Sequence, residues 1–410
     1  MKISLNTRNI IIKRLLISLF IIIIVRIGSF LSLPGIDQKA INFYIKTLLI
    51  PQNIITSFSK NSPLLVNFFT LNIFPYINAT LFAQLLFAVS PSLSKLRKEG
   101  SLASRRQITK KTRELTAVWA FIQGTGISLY FYQISQISNL NLDFLLFLKM
   151  SVWLTAGAMV ILFLSDIITD YGLGNGPSLF VCTNIASNFP HLYQKLIYGD
   201  FKNLTNFSQY SFINLFFLVV ILVIYLQLGE TRINFKSSTQ LESKLKKSDK
   251  DSIGFYIPLR LNQIGVMPII FTTTILMLPD KIIKTTSFLP LFFLNGFYWL
   301  IYFVVLLQFS YFYSNINLKP KDLSDQLRER TSVVPGIRPG SQTTFYITTI
   351  NKRSLFITAL ILSVLSAFPD IIEKLFNISD LNELSAVSLI IVIGVLVEVN
   401  REINDIIKTT

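Results

Sequence analysis

Few residues in this 410-residue chain have the types and spacing that chemistry requires. One cysteine, Cys182, and one histidine, His191, exclude an internal disulfide and leave no Cys/His cluster for a metal. A carboxylate-only metal site stays open, but no spacing marks one. The signatures G-x-x-x-x-G-K-[ST], H-E-x-x-H and G-x-S-x-G are absent. Gly172, Gly174 and Gly176 in YGLGNG read either as a tight connection at a membrane edge or as a phosphate cradle. Arg26 lies inside an apolar run, where a charge costs about 2.5–3.5 kcal/mol on insertion scales. It either snorkels to the interface or serves as an anchor or cavity-facing residue. Asp166 and Asp170, one helical turn apart, form either a proton relay or an interfacial pair bracketing a turn. Gln84, Gln123 and Asn262 place amides within apolar stretches, where an unpaired amide is costly. They are either generic helix–helix hydrogen bonds or a polar seam that can open.

The elements that must position these residues are apolar and long. Hydrophobic residues make up 51% of the chain and charged residues 15%, against about 25% charge in a soluble domain. Mean hydropathy is +0.54. That composition excludes a soluble enzyme and also a disordered chain. Ten apolar stretches stand out, at 14–33, 74–93, 114–133, 144–166, 177–190, 209–228, 259–279, 294–314, 354–370 and 384–400. A membrane span takes roughly 20 apolar residues, so ten spans account for about half of the chain. The fifth is short enough to lie at the interface instead. The first apolar run continues past a signal-peptide core without a small-residue cleavage site, so it is expected to be a retained span.

Net charge is +16, and its placement sets the orientation. With the N-terminus inside, the inner segments are 1–14, 94–113, 167–176, 229–261, 315–353 and 401–410. They carry four, eight, no, seven, seven and two basic residues. The outer side and span ends hold nine, so the excess puts both termini on the cytoplasmic side. Five spans per half makes each half odd. The second half therefore starts on the opposite side from the first, which permits an inverted repeat with a polar path near the midplane.

Three segments outside the spans carry more than topology. Residues 54–73, broken by Lys60, Asn61 and Pro63, cannot form one spanning helix. They read as a re-entrant segment buried in protein or as an amphipathic surface loop. The loop 94–113 is a basic run. In 315–353 the turn PGIRPG holds Arg338 between two prolines and two glycines. A rigid turn presenting one arginine suits docking to a carboxylate or phosphate.

In order along nearly the whole chain stand VRIGSF at 25–30, LPGID at 33–37, PYINATLFAQLL at 75–86, LRKEG at 96–100 and Arg105–Arg106. There follow TAVWAFIQGTGI at 116–127, DIITDYGLGNGPSL at 166–179, PLRLNQIGVMPIIF at 258–271 and VVPGIRPGSQT at 333–343. On these motifs the chain resembles the SecY family, the channel subunit of the Sec protein translocase. The resemblance implies an all-α integral membrane protein of ten transmembrane helices. Two inverted five-helix halves, 1–190 and 191–410, would surround an hourglass pore. It implies a passive channel, not an enzyme, that carries unfolded preproteins across the membrane and releases apolar segments into lipid. No cofactor, metal or specific nucleic acid is expected.

Carried over position by position, the resemblance gives a pore ring of Ile77, Leu81, Val181, Ile270 and Ile391. Pro177 stands where the family has a further aliphatic residue. It places a plug at 54–73, although Lys60 and Asn61 follow Phe58–Ser59 where the family often has a glycine pair. It puts Gln84, Gln123 and Asn262 at the lateral gate. Partner docking falls to the loops 229–261 and 315–353 and to Arg338, Arg105 and Arg106. The implied partners are a SecE-like small subunit and a SecA-like motor ATPase, with a SecG-like subunit and the translating ribosome as further candidates. Heavy use of Phe, Ile, Lys and Asn, which have AT-rich codons, and a short chain resemble the plastid-encoded type. Its thylakoid membrane would hold the basic loops and both termini in the stroma; a bacterial plasma membrane is the alternative. The rival functional classes are a secondary transporter of a small solute, which needs mid-span charges, and a lipid-modifying enzyme, which needs a nucleophile, acid/base pair or metal.

Overall fold

A computed structural model of the chain describes residues 5–33, 67–90, 101–137, 144–187, 190, 206–237, 255–260, 268, 269, 272, 291–317, 320–329, 332–376 and 386–409. In chain order the elements are α1 (Leu5–Gly28), α2 (Phe74–Val89), α3 (Leu102–Ile137), α4 (Phe144–Tyr171), α5 (Gly176–Ala186), α6 (Asn206–Leu228), β1 (Glu230–Ser237), β2 (Phe255–Arg260), α7 (Leu291–Asn317), α8 (Pro320–Glu329), β3 (Ser332–Val333), α9 (Ser341–Phe376) and α10 (Ala386–Thr409). The chain divides into two compact units. One comprises Met1–His191 with Glu398–Thr410, the other Leu192–Val397.

Nine of the ten expected spans coincide with helices α1 to α7, α9 and α10. The seventh, 259–279, lies almost entirely outside the described residues, and its first two residues, Leu259 and Arg260, belong to β2. Among the described residues two helices are long and apolar enough by themselves to cross a membrane, Phe144–Tyr171 and Ser341–Ala367, with mean hydropathies of 2.0 and 1.4. Helix α3 begins twelve residues before the expected span. Ser101 accounts for this: its Oγ accepts the Ser104 N–H at 3.1 Å, an N-cap that satisfies a first-turn donor. Half of the expected basic loop 94–113 is therefore helix. Helix α5 has only 11 residues, about 16 Å at 1.5 Å per residue. Its residues Gly176, Pro177, Phe180 and Val181 are buried.

In the first unit a non-helical stretch, Asn67–Ile73, leads into α2. Phe68 N–H donates to the Leu31 carbonyl at 3.1 Å, and Thr70 Oγ1 bonds Asn67 through both its amide and its carbonyl. Asn72 sits at φ 47°, and its Oδ1 accepts the Ile73 N–H at 2.8 Å. Leu71 is fully buried in a core with Leu33, Ala120, Phe131, Met150, Leu154 and Ala158. Non-helical backbone at membrane depth survives only where protein covers it, and this stretch meets that condition. It is the end of the expected re-entrant segment; 54–66 lie outside the described residues. Gly157 of α4 admits it, since a Cβ there would collide with the Phe68 carbonyl oxygen.

The second unit builds a small sheet in the segments expected to be docking loops. β1 and β2 form an antiparallel hairpin from Glu230↔Arg260 to Phe235↔Phe255. β3 joins the other edge through Lys236↔Val333. The strand ETRINFKS alternates: Ile233 is buried and Phe235 half-buried, while Glu230, Arg232 and Asn234 face solvent. Ile233 packs with Leu327, Val334 and Ile347. The helical body thus carries a small sheet, order β2-β1-β3, in segments 229–261 and 315–353. Helices α7 and α9 are joined by Asn351 Nδ2 donating to Ser314 Oγ at 2.5 Å and by an edge contact of Phe303 with Phe356.

The glycine contact yields a paired test. Gly157→Ala must push the Phe68 backbone away and is expected to destabilise the protein by about 1–3 kcal/mol. Gly126→Ala, with nothing within 4 Å of the added Cβ, should leave stability unchanged or raise it by up to about 1 kcal/mol. Thermal unfolding of the purified variants checks both.

Candidate functional site

The residues expected to line a ring fall on short-range features of each unit. Ile77 and Leu81 are one turn apart on α2, hence on one face. Ile77 is 2% exposed and Leu81 is half-buried. Val181, on α5, is 7% exposed. In the second unit Ile391 of α10 is also 7% exposed; Ile270 lies outside the described residues. Pro177 is buried in the first turn of α5, where its missing N–H costs no hydrogen bond.

Helices α2 and α3 pack against each other along their lengths, with Phe82 meeting the edge of Trp119 at 6.2 Å. Gln84 is on α2 and Gln123 on α3. Both side chains are half-buried, and both Oε1 atoms are buried without a hydrogen-bond partner among the described residues. A buried unsatisfied amide oxygen costs about 1–3 kcal/mol. Asn262, the third expected member, lies outside the described residues.

Two charges that sequence left open have partners. Arg26 Nη2 donates to the Thr183 carbonyl at 2.5 Å, so the arginine is an anchor between α1 and α5. Asp166 of α4 pairs with Arg113 of α3 at 2.7 Å, while Asp170 is exposed. Sequence reading named Arg26 and Asp166 but not their partners. The Thr183 carbonyl, 157 residues along the chain, leaves no trace in local pattern.

The basic turn is built in the second unit. Gly336 and Gly340 adopt φ of 80° and 110°, conformations that a side chain would strain. Ile337 N–H donates to Val334 at 3.1 Å. Thr343 Oγ1 donates to the Arg338 carbonyl at 2.9 Å, and Ser324 Oγ of α8 donates to the Gly340 carbonyl at 3.0 Å. Backbone is fixed while the Arg338 side chain stays exposed. Beside it runs a groove of about 620 Å³ lined by Ile337, Phe345, Tyr346, Ile350 and Arg353 among others. Phe345 is 75% exposed. Sequence reading passed it over; its signal was a bulky aromatic in a run of Ser, Thr and Gln. Arg105 and Arg106 are exposed in the first turn of α3, in the other unit. Among the described residues no group of three His, Cys, Asp or Glu side chains could hold a metal ion.

Comparison with known proteins gives this geometry a setting. The SecY family profile matches residues 67–400. A protein translocase subunit SecY from Trieres chinensis is 40% identical over 98% of this chain and 97% of its own length. Among solved structures, a SecY channel described for a plug domain that stabilises its closed state aligns at TM-score 0.63 and 12% identity, covering 96% of this chain and 92% of that one. Sec61 in a canine ribosome–channel complex aligns at TM-score 0.59 and 13% identity, over 96% and 92%. The helical membrane fold expected from sequence is the fold of these channels.

The unpaired amides predict an inverted mutational effect. Gln84→Leu removes a buried acceptor and should raise the melting temperature of the detergent-solubilised protein by about 2 °C or more. A fall would show that the amide makes a bond worth keeping.

Proposed function

The chain belongs to the SecY family, and from that premise we propose that it forms the central protein-conducting channel of a Sec translocase. It passes unfolded preproteins across the membrane and releases apolar segments sideways into lipid. The family is one of transport channels rather than of catalysts. The observation that carries the mechanism is the burial of three aliphatic side chains, Ile77, Val181 and Ile391. Lipid tails are as apolar as leucine, so an isoleucine on a spanning helix gains little by avoiding them. A ring of such side chains has another use: it holds no bound water and resists ions, yet offers a threaded chain no strong binding site.

In this reading residues 1–190 and 191–410 are inverted halves, 54–73 is the plug, and Leu81 and Ile270 complete the ring. Gln84, Gln123 and Asn262 mark the lateral gate, where unsatisfied amides lower the cost of parting α2 and α3 from their neighbours. Arg338, Arg105 and Arg106 dock cytosolic or stromal partners. The partners are a SecE-like subunit, a SecA-like motor, a SecG-like subunit and the ribosome, the last supported by the ribosome-bound state of canine Sec61. The algal and cyanobacterial relatives support a plastid-type membrane protein; a thylakoid membrane with both termini stromal is the reading that the Lys/Arg bias favours.

Two measurements test this. Replacing Ile77, Val181 and Ile391 with serine should make the resting pore pass ions; unchanged conductance in planar bilayers would sink the ring. Arg338→Glu should lower motor-driven precursor transport at least about tenfold by setting like charges across the contact, with the melting temperature unchanged. Normal transport by the purified variant would remove Arg338 from the docking surface.

A further inference from the structure

Helix α5 is too short to be stable by itself; isolated helices below about 12–15 residues are marginal. Its two ends are held by opposite charges from outside it. At its start, the Gly174 N–H in the α4–α5 turn donates to Glu402 Oε2 of α10. Gly174 can point its N–H there because it adopts φ 83°, and Val399, one turn before Glu402, packs against the same glycine. Glu402 is itself paired with Arg14 of α1 at 3.7 Å. At its far end, the Thr183 carbonyl already accepts the Ser187 N–H at 3.1 Å. Its second lone pair takes Arg26 Nη2 at 2.5 Å.

The arrangement has electrostatic and geometric sense. A helix carries partial positive charge at its N-terminus and partial negative charge at its C-terminus. Here a carboxylate meets the first and a guanidinium the second. Both arginines belong to α1 and lie twelve residues apart, about 18 Å along a helix axis, a span that matches α5. Helix α1 thus holds one end of α5 directly and the turn before its other end through Glu402. Between the two ties lie Val181 and the chain's one cysteine, Cys182.

We propose that Arg26 and Glu402 are positioning residues that pin the two ends of α5, so that the Val181 side chain returns to one place after a polypeptide has passed. The seal at Val181 rests on the ring reading given above; the pinning of α5 does not. Cys182 reports the position of α5 without an introduced probe. In the assembled translocase reconstituted in liposomes, Arg26→Gln and Glu402→Gln should each raise Cys182 alkylation by a water-soluble maleimide about tenfold, the loss expected for a hydrogen bond to a charged group. Both should also raise resting ion conductance. Arg26→Lys, which keeps a charged donor, should restore most of the parent behaviour, a rescue that a general packing role for Arg26 does not predict. Unchanged alkylation in both glutamine variants overturns the proposal. Should either fail to assemble, Arg14→Gln, at a partly exposed pair, decides in the same way. Val181→Gly separates the two readings. If it leaks while the glutamine variants leave Cys182 and conductance at parent values, the clamp is wrong and the ring stands. If it does not leak, the ring is wrong, and the alkylation rates alone decide the clamp.

Discussion

In hydrocarbon every backbone amide and every charge must find its partner within the protein, because no water is there to supply one. The helices follow from that constraint, since a helix satisfies its own backbone. So do the exceptions. Asn67–Ile73 is not helical, and it is tolerated because Leu31, Asn67 and Asn72 accept its N–H groups and a core of Leu33 with α3 and α4 residues covers it. Arg26 is tolerated because a backbone carbonyl receives it. Against that background the bare Oε1 atoms of Gln84 and Gln123 stand out. Each leaves the cost of a buried, unpaired acceptor in the α2–α3 packing, about 1–3 kcal/mol.

The same constraint bears on the rival transporter class. Coupling a solute to an ion gradient takes mid-span charges that change partner or protonation. The two charges that sequence left open, Arg26 and Asp166, are each tied to another helix, by a carbonyl and by Arg113. Charges spent on structural ties are poorly placed to shuttle an ion. A channel whose driving force comes from outside it needs no such residues, only a constriction with little affinity for what passes.

How much of this was legible depended on the range of the signal. Hydropathy and the Lys/Arg bias are summed over many residues, and they located nine described helices. Helix ends depend on single residues, so α3 began at the Ser101 cap rather than where its apolar run began. The small sheet had a signal, the alternation of Thr231, Ile233 and Phe235. It was hidden because the charged run KSSTQLESKLKKSDKD dominates that segment and reads as solvated loop. The ring residues came from resemblance alone, since an isoleucine that faces a pore and one that faces lipid look alike in sequence, whereas Gln84, Gln123 and Asn262 stood out by residue type as amides in apolar stretches. Glu402 had no signal at all. It sits in a polar helix end, VNREIND, and only the fold brings it to Gly174.

The Arg338 turn combines a rigid backbone with an exposed side chain. A flexible arginine pays side-chain and loop entropy on binding, and that loss offsets much of what a charge-assisted contact gains. In the turn around Arg338 the backbone cost has been met during folding. Thr343, Ser324 and the Val334 carbonyl hold it, and the buried group Ile233, Leu327, Val334 and Ile347 seats the sheet beneath it. The side chain alone remains free. The apolar groove beside it, with Phe345 at its rim, adds desolvation to charge. Aromatic and arginine side chains together are what interface hot spots are made of. The sheet is therefore the support on which the Arg338 turn depends: β3 pairs with β1 just before PGIRPG, and the core beneath them seats it.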